Sequence, residues 1–237
     1  MANDEPMVVT IDGPAGAGKS SVSRELARRL GFRFLDTGAM YRAVALAALE
    51  RGIDLTETAE VEALASAITI EVTDDQILLD GRDVSQAIRT PEVTAAIHHV
   101  ADNPTVRGIL VDLQRRLGGM RDTVTEGRDQ GTVAFPHAQC KIFLTASAEE
   151  RARRRVQDLA ARGVDASYDE ILTQQNERDR RDSTRAVGRM LQTADMTELI
   201  TDGLTPQQVV DRLEEIVRMR IAELQTSART TDDVTHS

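Results

Sequence analysis

The sequence predicts an α/β fold in which a doubly wound, five-stranded parallel sheet carries helices on both faces. Three observations predict it. Short apolar runs alternate with helix-periodic runs over most of the 237 residues, as parallel strands joined by crossover helices require. The first apolar run leads directly into a glycine-rich loop and a helix. One β-rich stretch near residues 67–90 breaks the alternation and reads as an insertion.

The elements follow in chain order. "MVVTI" (7–11) reads as a buried strand. "SSVSRELARRLG" (20–31) reads as a helix with Val22, Leu26 and Leu30 on one face and Gly31 as its stop. "FRFL" (32–35) is a second strand, "AMYRAVALAALERG" (39–52) a second helix, and residues 57–66 a third. "AITIEVTDDQILLDGRDVS" (67–85) reads as short antiparallel strands turning at Asp74-Asp75 and Asp80-Gly81. Residues 91–104 and 105–119 are helical in pattern, and "TVTEG" (123–127) and "CKIFLT" (140–145) are further strands of the main sheet. Helices over 147–163 and 168–182 and a strand over 198–201 lead to a closing helix over 205–224, with Thr205 as N-cap and Pro206 at its first position. Residues 225–237 are polar and read as a disordered tail.

Composition narrows the function. The net charge of −10, with a pI near 5.0, and the lack of any Trp argue against a nucleic-acid binder with a basic, aromatic surface. Cys140 is the only thiol, so no intrachain disulfide can form, which suits a reducing cytoplasm. "MANDEP" lacks the basic and apolar regions of a signal peptide, and no run approaches a membrane span in length. Apart from Lys19 and Lys141, the basic residues are all Arg, whose planar fork suits carboxylates and phosphates.

"GPAGAGKS" (13–20) fits G-x-x-x-x-G-K-[ST] between a strand and a helix, the context this phosphate-binding loop (P-loop) requires. Small residues let the backbone wrap a phosphate, and the helix N-terminus adds partial positive charge. Gly13, Pro14, Ala15, Gly16, Ala17, Gly18, Lys19, Ser20 and Ser21 are therefore the candidates for holding nucleotide phosphates. Lys19 is expected to reach the β- and γ-phosphates, and the Ser20 hydroxyl to ligate Mg²⁺.

Motor ATPases and switch GTPases share this loop. The former carry an apolar strand ending in a Mg²⁺-holding Asp, whereas here the candidate strands end in Thr145 and in Glu126-Gly127. The latter need N-K-x-D, which neither lysine provides. A second, phosphorylated substrate accounts for more of the sequence. "LDTGAMYRA" (35–43) offers Thr37, Tyr41 and Arg42 where a strand ends and a helix begins, and "EGRDQGTVAFP" (126–136) presents Arg128 and Asp129 side by side. On a late helix Arg178, Asp182 and Arg185 are spaced i, i+4 and i+7, one helical stripe.

Together these segments resemble the bacterial cytidylate kinase family from Val8 to about Leu224. "IDGPAGAGKS", "LDTGAMYRA", "GRDVSQAIRTPEV", "NPTVRGILVDLQR", "EGRDQGTVAFP" and "ERDRRDSTRAV" occur in that order. The third and fourth lie in the insert that separates this family from adenylate kinases. The resemblance implies transfer of the ATP γ-phosphoryl group to CMP or dCMP, with ATP and Mg²⁺ at the loop. It implies a core of residues 1–66 and 105–224, an inserted monophosphate-binding subdomain over 67–104, and a helical lid within about 150–168. Thr37, Tyr41, Arg42, Arg107 and Arg128 match acceptor-contacting positions, Asp129 and Arg178 positions near the ribose, and Asp182 and Arg185 positions near the base. Arg151, Arg154 and Arg155 match the lid and, with Lys19 and Arg128, are the candidate catalytic cations. Two residues depart from the pattern: His98 stands where a serine commonly faces the cytosine, and Gln130 replaces an apolar residue. The alternatives are a kinase for UMP, AMP or a non-nucleotide acceptor such as shikimate, and a module that binds ATP without turnover. The expected partners are small-molecule nucleotides, without nucleic acid or membrane, for a cytoplasmic monomer.

Overall fold

The computed structural model describes residues 5–73, 75–161 and 163–235, with side chains as far as Ser227. The elements run β1 (Val8–Asp12), α1 (Lys19–Leu30), β2 (Arg33–Asp36), α2 (Thr37–Glu50), α3 (Thr58–Ala67), β3 (Ile70–Val72), β4 (Ile77–Leu79), β5 (Arg82–Asp83), α4 (Pro91–Asp102), α5 (Pro104–Gly118), β6 (Thr123–Gly127), β7 (Cys140–Thr145), α6 (Ala148–Ala160), α7 (Tyr168–Thr184), β8 (Thr197–Ile200) and α8 (Pro206–Thr235). A five-stranded, wholly parallel sheet has the order β2-β6-β1-β7-β8. The chain reverses direction across the sheet at β1, the kind of switch point where ligands bind. β1 is buried at every position, as a central parallel strand covered on both faces must be.

β3, β4 and β5 form a separate antiparallel sheet within the expected insert. Its second hairpin turns at Asp80 (φ 50°) and Gly81 (φ 78°), the paired positive φ values of a two-residue hairpin turn. Of the other expected turn, Asp74 lies outside the described residues. Thr90 caps α4, its hydroxyl accepting from the Val93 N–H, and Pro91 opens the helix. The Asn103 side chain accepts from the N–H groups of Thr105 and Val106 and so begins α5.

The insert is packed into the body of the protein. α2 is apolar almost all round and buries Met40, Ala43, Val44, Leu46 and Ala47, which marks a helix covered on every side. Those residues share one cluster with Val72, Ile77, Leu79, Ile88, Val93 and Val100 of the insert. Arg33 reinforces the join, its guanidinium donating to the Val72 carbonyl of β3 and, at 3.3 Å, to the Leu117 carbonyl of α5. A second cluster lies between the sheet and helices α1 and α8, around Ile11, Leu26, Ile142, Leu144 and Leu213.

Two elements differ from expectation. α8 runs to Thr235, so the backbone of 225–235 is helical where a disordered tail was expected, and residues 236 and 237 lie outside the described residues. The Thr226 and Ser227 hydroxyls donate to carbonyls four residues back, satisfying polar side chains within the helix. α7 ends at Thr184, and Arg185 has left the helix with φ −54° and ψ 140°. The expected three-residue stripe therefore holds only for Arg178 and Asp182. No described helix is long and apolar enough to cross a membrane.

Candidate active site

The phosphate loop lies between the C-terminal end of β1 and α1, and its glycines are required there. A Cβ on Gly13 would sit 2.0 Å from the Leu144 carbonyl oxygen of β7, and Gly16 and Gly18 hold φ values of 79° and 83°. Lys19 is buried, its Nζ donating to the carbonyls of Gly13 and Pro14 at 2.8 Å each. Burial pushes its pKa down to about 7, and the nearby charges of Arg128 and Arg178 push the same way. The Ser20 hydroxyl donates to Glu126 Oε1 at 2.7 Å. Ser21 points elsewhere, bonding the Gly18 carbonyl.

Glu126, at the end of β6, is absent from the sequence-derived candidates. Burial and the nearby Asp36 raise its pKa. An exposed hydroxyl held by a buried carboxylate, beside a phosphate loop, suits Mg²⁺, which takes a few protein oxygens and otherwise water and phosphate. Asp36 caps α2 by accepting from the Ala39 N–H and pairs with Arg89 of the insert at 2.6 Å.

Opposite the loop the structure gathers cations. Arg42, from α2, donates to the Ile88 carbonyl and the Thr94 hydroxyl of α4. Burial and the adjacent Arg89 lower its pKa. Arg178 is half-buried on α7, and burial together with Arg128 and Arg42 brings it down to about 10. Lys19, Arg42, Arg128 and Arg178 thus crowd one another at the end of the sheet that holds the loop. Carboxylates lie among them, with Asp182 paired to Arg128 and Asp36 and Glu126 acting on Arg42, so an incoming phosphate would meet arginines already held in place.

The remaining acceptor-side candidates form a network of ion pairs. Arg128 Nε donates to Asp182 Oδ2 at 2.8 Å, and Arg185 Nη2 to Asp182 Oδ1 at 2.8 Å. Burial opposes charge on Asp182, but Arg128 and Arg185 outweigh it and hold its carboxyl below the usual range. Arg107 pairs with Asp129 and lies over the Tyr41 ring, 5.5 Å from its centroid. Tyr41 is buried, which pushes its pKa up to about 12. The Thr37 hydroxyl donates to the Glu126 carbonyl at 2.7 Å. His98 remains on α4, stacked on His99 at 4.0 Å between ring centroids, with its Nδ1 2.7 Å from the Ala95 carbonyl. Gln130 is buried, accepts from the Thr125 hydroxyl and donates to Gln114, so the departure from an apolar residue is met by polar partners. Asp12 anchors the turn after Arg128-Asp129 by accepting from the N–H groups of Gln130 and Gly131.

The three lid candidates separate. Arg151 is buried at the base of α6, where it donates to the Ala15 carbonyl of the loop at 2.8 Å and pairs with Asp179 at 2.6 Å. Arg155 is exposed one turn further on, close enough for its charge to reach Arg42. Arg154 is not brought to the loop; it bonds Glu150 and the Thr201 hydroxyl and carbonyl. The helical period allows this, since residues 154 and 155 flank residue 151 on opposite sides and point about 100° apart.

A strand–loop–helix cradle for phosphates, with arginines gathered near its lysine and a network of ion pairs beside them, defines the class of P-loop kinases. The comparisons with known proteins agree. The Cytidylate kinase family matches residues 9–219. Cytidylate kinase of Rhodopirellula baltica is 50% identical over 212 residues, covering 90% of this chain and 93% of that protein. Cytidylate kinase of Pelotomaculum thermopropionicum is 45% identical over 226 residues, covering 93% and 97%. The chain therefore belongs to the cytidylate kinase family. A bifunctional pantoate ligase/cytidylate kinase of Synechococcus sp. is 47% identical over 222 residues, 91% of this chain but 45% of that protein. Among solved structures, an uncharacterised protein from Eubacterium ventriosum shares the fold at TM-score 0.50 and 10% identity, covering 90% of this chain and 98% of that one.

Proposed function

We propose that the protein transfers the γ-phosphoryl group of ATP to CMP or dCMP, giving ADP and CDP or dCDP. The observation that carries this is the gathering of Arg42, Arg128 and Arg178 close to Lys19 of the phosphate loop. An ATP-sensing module has no use for cations on the acceptor side. The nucleophile is a phosphate oxygen of CMP, already anionic at neutral pH, so the chain needs no strong general base. Its contribution is alignment and charge neutralisation.

Loop amides and Lys19 hold the β- and γ-phosphates; binding draws Lys19 away from the two carbonyls it now contacts. Arg42 and Arg128 hold the acceptor phosphate in line, while Arg151 and Arg155 stabilise charge on the transferring group. Ser20, with Glu126 beside it, would hold Mg²⁺, which supplies charge neutralisation on the phosphates when bound. Arg107, Asp129 and Tyr41 form the wall of the acceptor pocket, and Asp182 with Arg185 reads the base. A single buried thiol, Cys140, and a net charge of −10 support a cytoplasmic enzyme acting on small nucleotides.

The test is ADP release from ATP in the presence of CMP, dCMP, UMP, AMP or shikimate. CMP and dCMP are expected to support turnover far above the acceptor-free rate. Release driven mainly by another acceptor, or independent of any acceptor, overturns the reading.

A further inference from the structure

Arg185 occupies an unusual position for a residue expected to read a base. It lies one residue beyond the end of α7, so the helix no longer dictates its direction. Its guanidinium is nevertheless buried, with the side chain only 7% exposed. Two carboxylates hold it. Asp182 takes Nη2 at 2.8 Å, and Asp102, at the last position of α4, takes Nε at 2.5 Å. Nη1 has only the Gly188 carbonyl, at the 3.5 Å limit of a hydrogen bond.

We propose that Asp102 is a positioning residue for the acceptor base: by holding the Nε edge of Arg185 it leaves the Nη1 edge free for a ring acceptor of the pyrimidine. The inference rests on the CMP kinase reading above and adds to it a residue from the insert. Asp102 is 83 residues from Arg185 in sequence, and no motif marks it.

The placement of Asp102 argues against a purely local role. A negative charge at the C-terminal end of a helix opposes the helix dipole, so α4 gains nothing from this carboxylate. Its favourable partners lie across the fold, in Arg185 and in the charge of Arg107. Arg185 in turn lies close enough to Tyr41 and Asp129 for its charge to act on both, which puts it beside the acceptor-side wall. Asp102 is 37% exposed, so its replacement opens no cavity. Without it, a guanidinium on an extended backbone keeps one fixed edge and can rotate away from the base.

The experiment measures kcat and KM for CMP and for ATP in the wild type, Asp102→Ala and Asp102→Asn, with Tm for each. Asp102→Ala is expected to raise the CMP KM on the order of tenfold, the loss of one oriented charge-assisted hydrogen bond, with kcat and the ATP KM changed by less than about twofold. Asp102→Asn keeps an oxygen that accepts from Nε and is expected to restore most of the CMP affinity. An Asp102→Ala enzyme with the wild-type CMP KM overturns the inference, as does a parallel rise in both KM values with a lower Tm. A wild type inactive on CMP overturns the kinase reading and this inference with it. An active wild type with an indifferent Asp102→Ala overturns this inference alone.

Discussion

Lys19 carries its charge against its surroundings. Burial and two neighbouring arginines bring its pKa to about 7 from 10.5, so the folded protein releases this proton more readily than the unfolded chain. The cost to stability is fully present below pH 7 and fades as pH rises toward 10.5, because the unfolded chain then binds more protons than the native state. Lys19→Met is expected to lower turnover by about three orders of magnitude or more, through lost stabilisation of the transferring phosphoryl group. The same variant is expected to raise Tm at pH 6 relative to the wild type, with the gain shrinking by pH 9. A folded Lys19→Met that keeps more than about a tenth of the turnover removes the loop from catalysis. Asp182 raises a question of specificity. A carboxylate suits the cytosine amino group, whereas uracil sets a carbonyl oxygen against it and leaves polar groups unpaired, a mismatch that costs on the order of 10²–10⁴ in selectivity. Asp182→Asn is expected to narrow the CMP-over-UMP preference mainly by losing CMP. Because Asp182 also holds Arg128 and Arg185, a proportional loss of both substrates would assign it a scaffolding role. His98→Ser serves as the comparison: if it alone collapses the CMP/UMP ratio, His98 reads the base.

At the scale of elements, α6 and α7 are tied to the phosphate loop by their near ends. Asp179 of α7 accepts from the Ala15 N–H at 3.3 Å and pairs with Arg151 of α6, which bonds the Ala15 carbonyl. Both backbone polar groups of one loop residue are thus held by a single ion pair. Gln175, one turn before Asp179, donates to the Arg151 carbonyl and lies against Gly16, where a Cβ would meet its Nε2 at 2.9 Å. Asp179→Ala leaves the buried Arg151 without its carboxylate. It is expected to cost roughly 3 kcal/mol in denaturant unfolding, the low end of the range for a broken buried pair because Asp179 keeps some solvent contact. The ATP KM should rise with it, while the CMP KM should change little. An ATP KM equal to that of the wild type would mean that the loop holds its shape unaided.

At the scale of the whole molecule, the insert is a wall of the core. Val72, Ile77, Leu79 and Ile88 share one buried cluster with α2, and Arg33 bonds across the junction. Deleting residues 67–90 would expose an apolar helix that has no polar face to offer water. The shortened chain is expected to lose cooperative thermal unfolding, measured by circular dichroism, and not only its acceptor site. A deletion variant that unfolds cooperatively and binds ATP normally would make the insert a separable module. The arrangement also places acceptor residues on three units of the fold. Candidate Arg42 comes from α2, candidates Arg178 and Asp182 from α7, and Thr94 and Asp102 of the insert hold Arg42 and Arg185, so the proposed acceptor site draws on all three.

The local signals were strong enough to read in one dimension. Apolar period, glycine stops, the Thr205 cap and the glycine-lysine loop depend on neighbours a few residues away, and they specified the α/β alternation, the five strands and the strand–loop–helix motif. The order of those strands, the burial of the insert against α2 and the end of α7 before Arg185 depend on packing between distant segments. The site divides in the same way. Lys19 and Ser20 were legible because one loop carries them. Glu126 against Ser20, Asp179 against Arg151 and Asp102 against Arg185 were not, because each pair joins residues 28 to 106 positions apart. An isolated carboxylate in the sequence looks like any solvated surface charge, and its role is decided only when folding removes water and leaves one particular cation within reach.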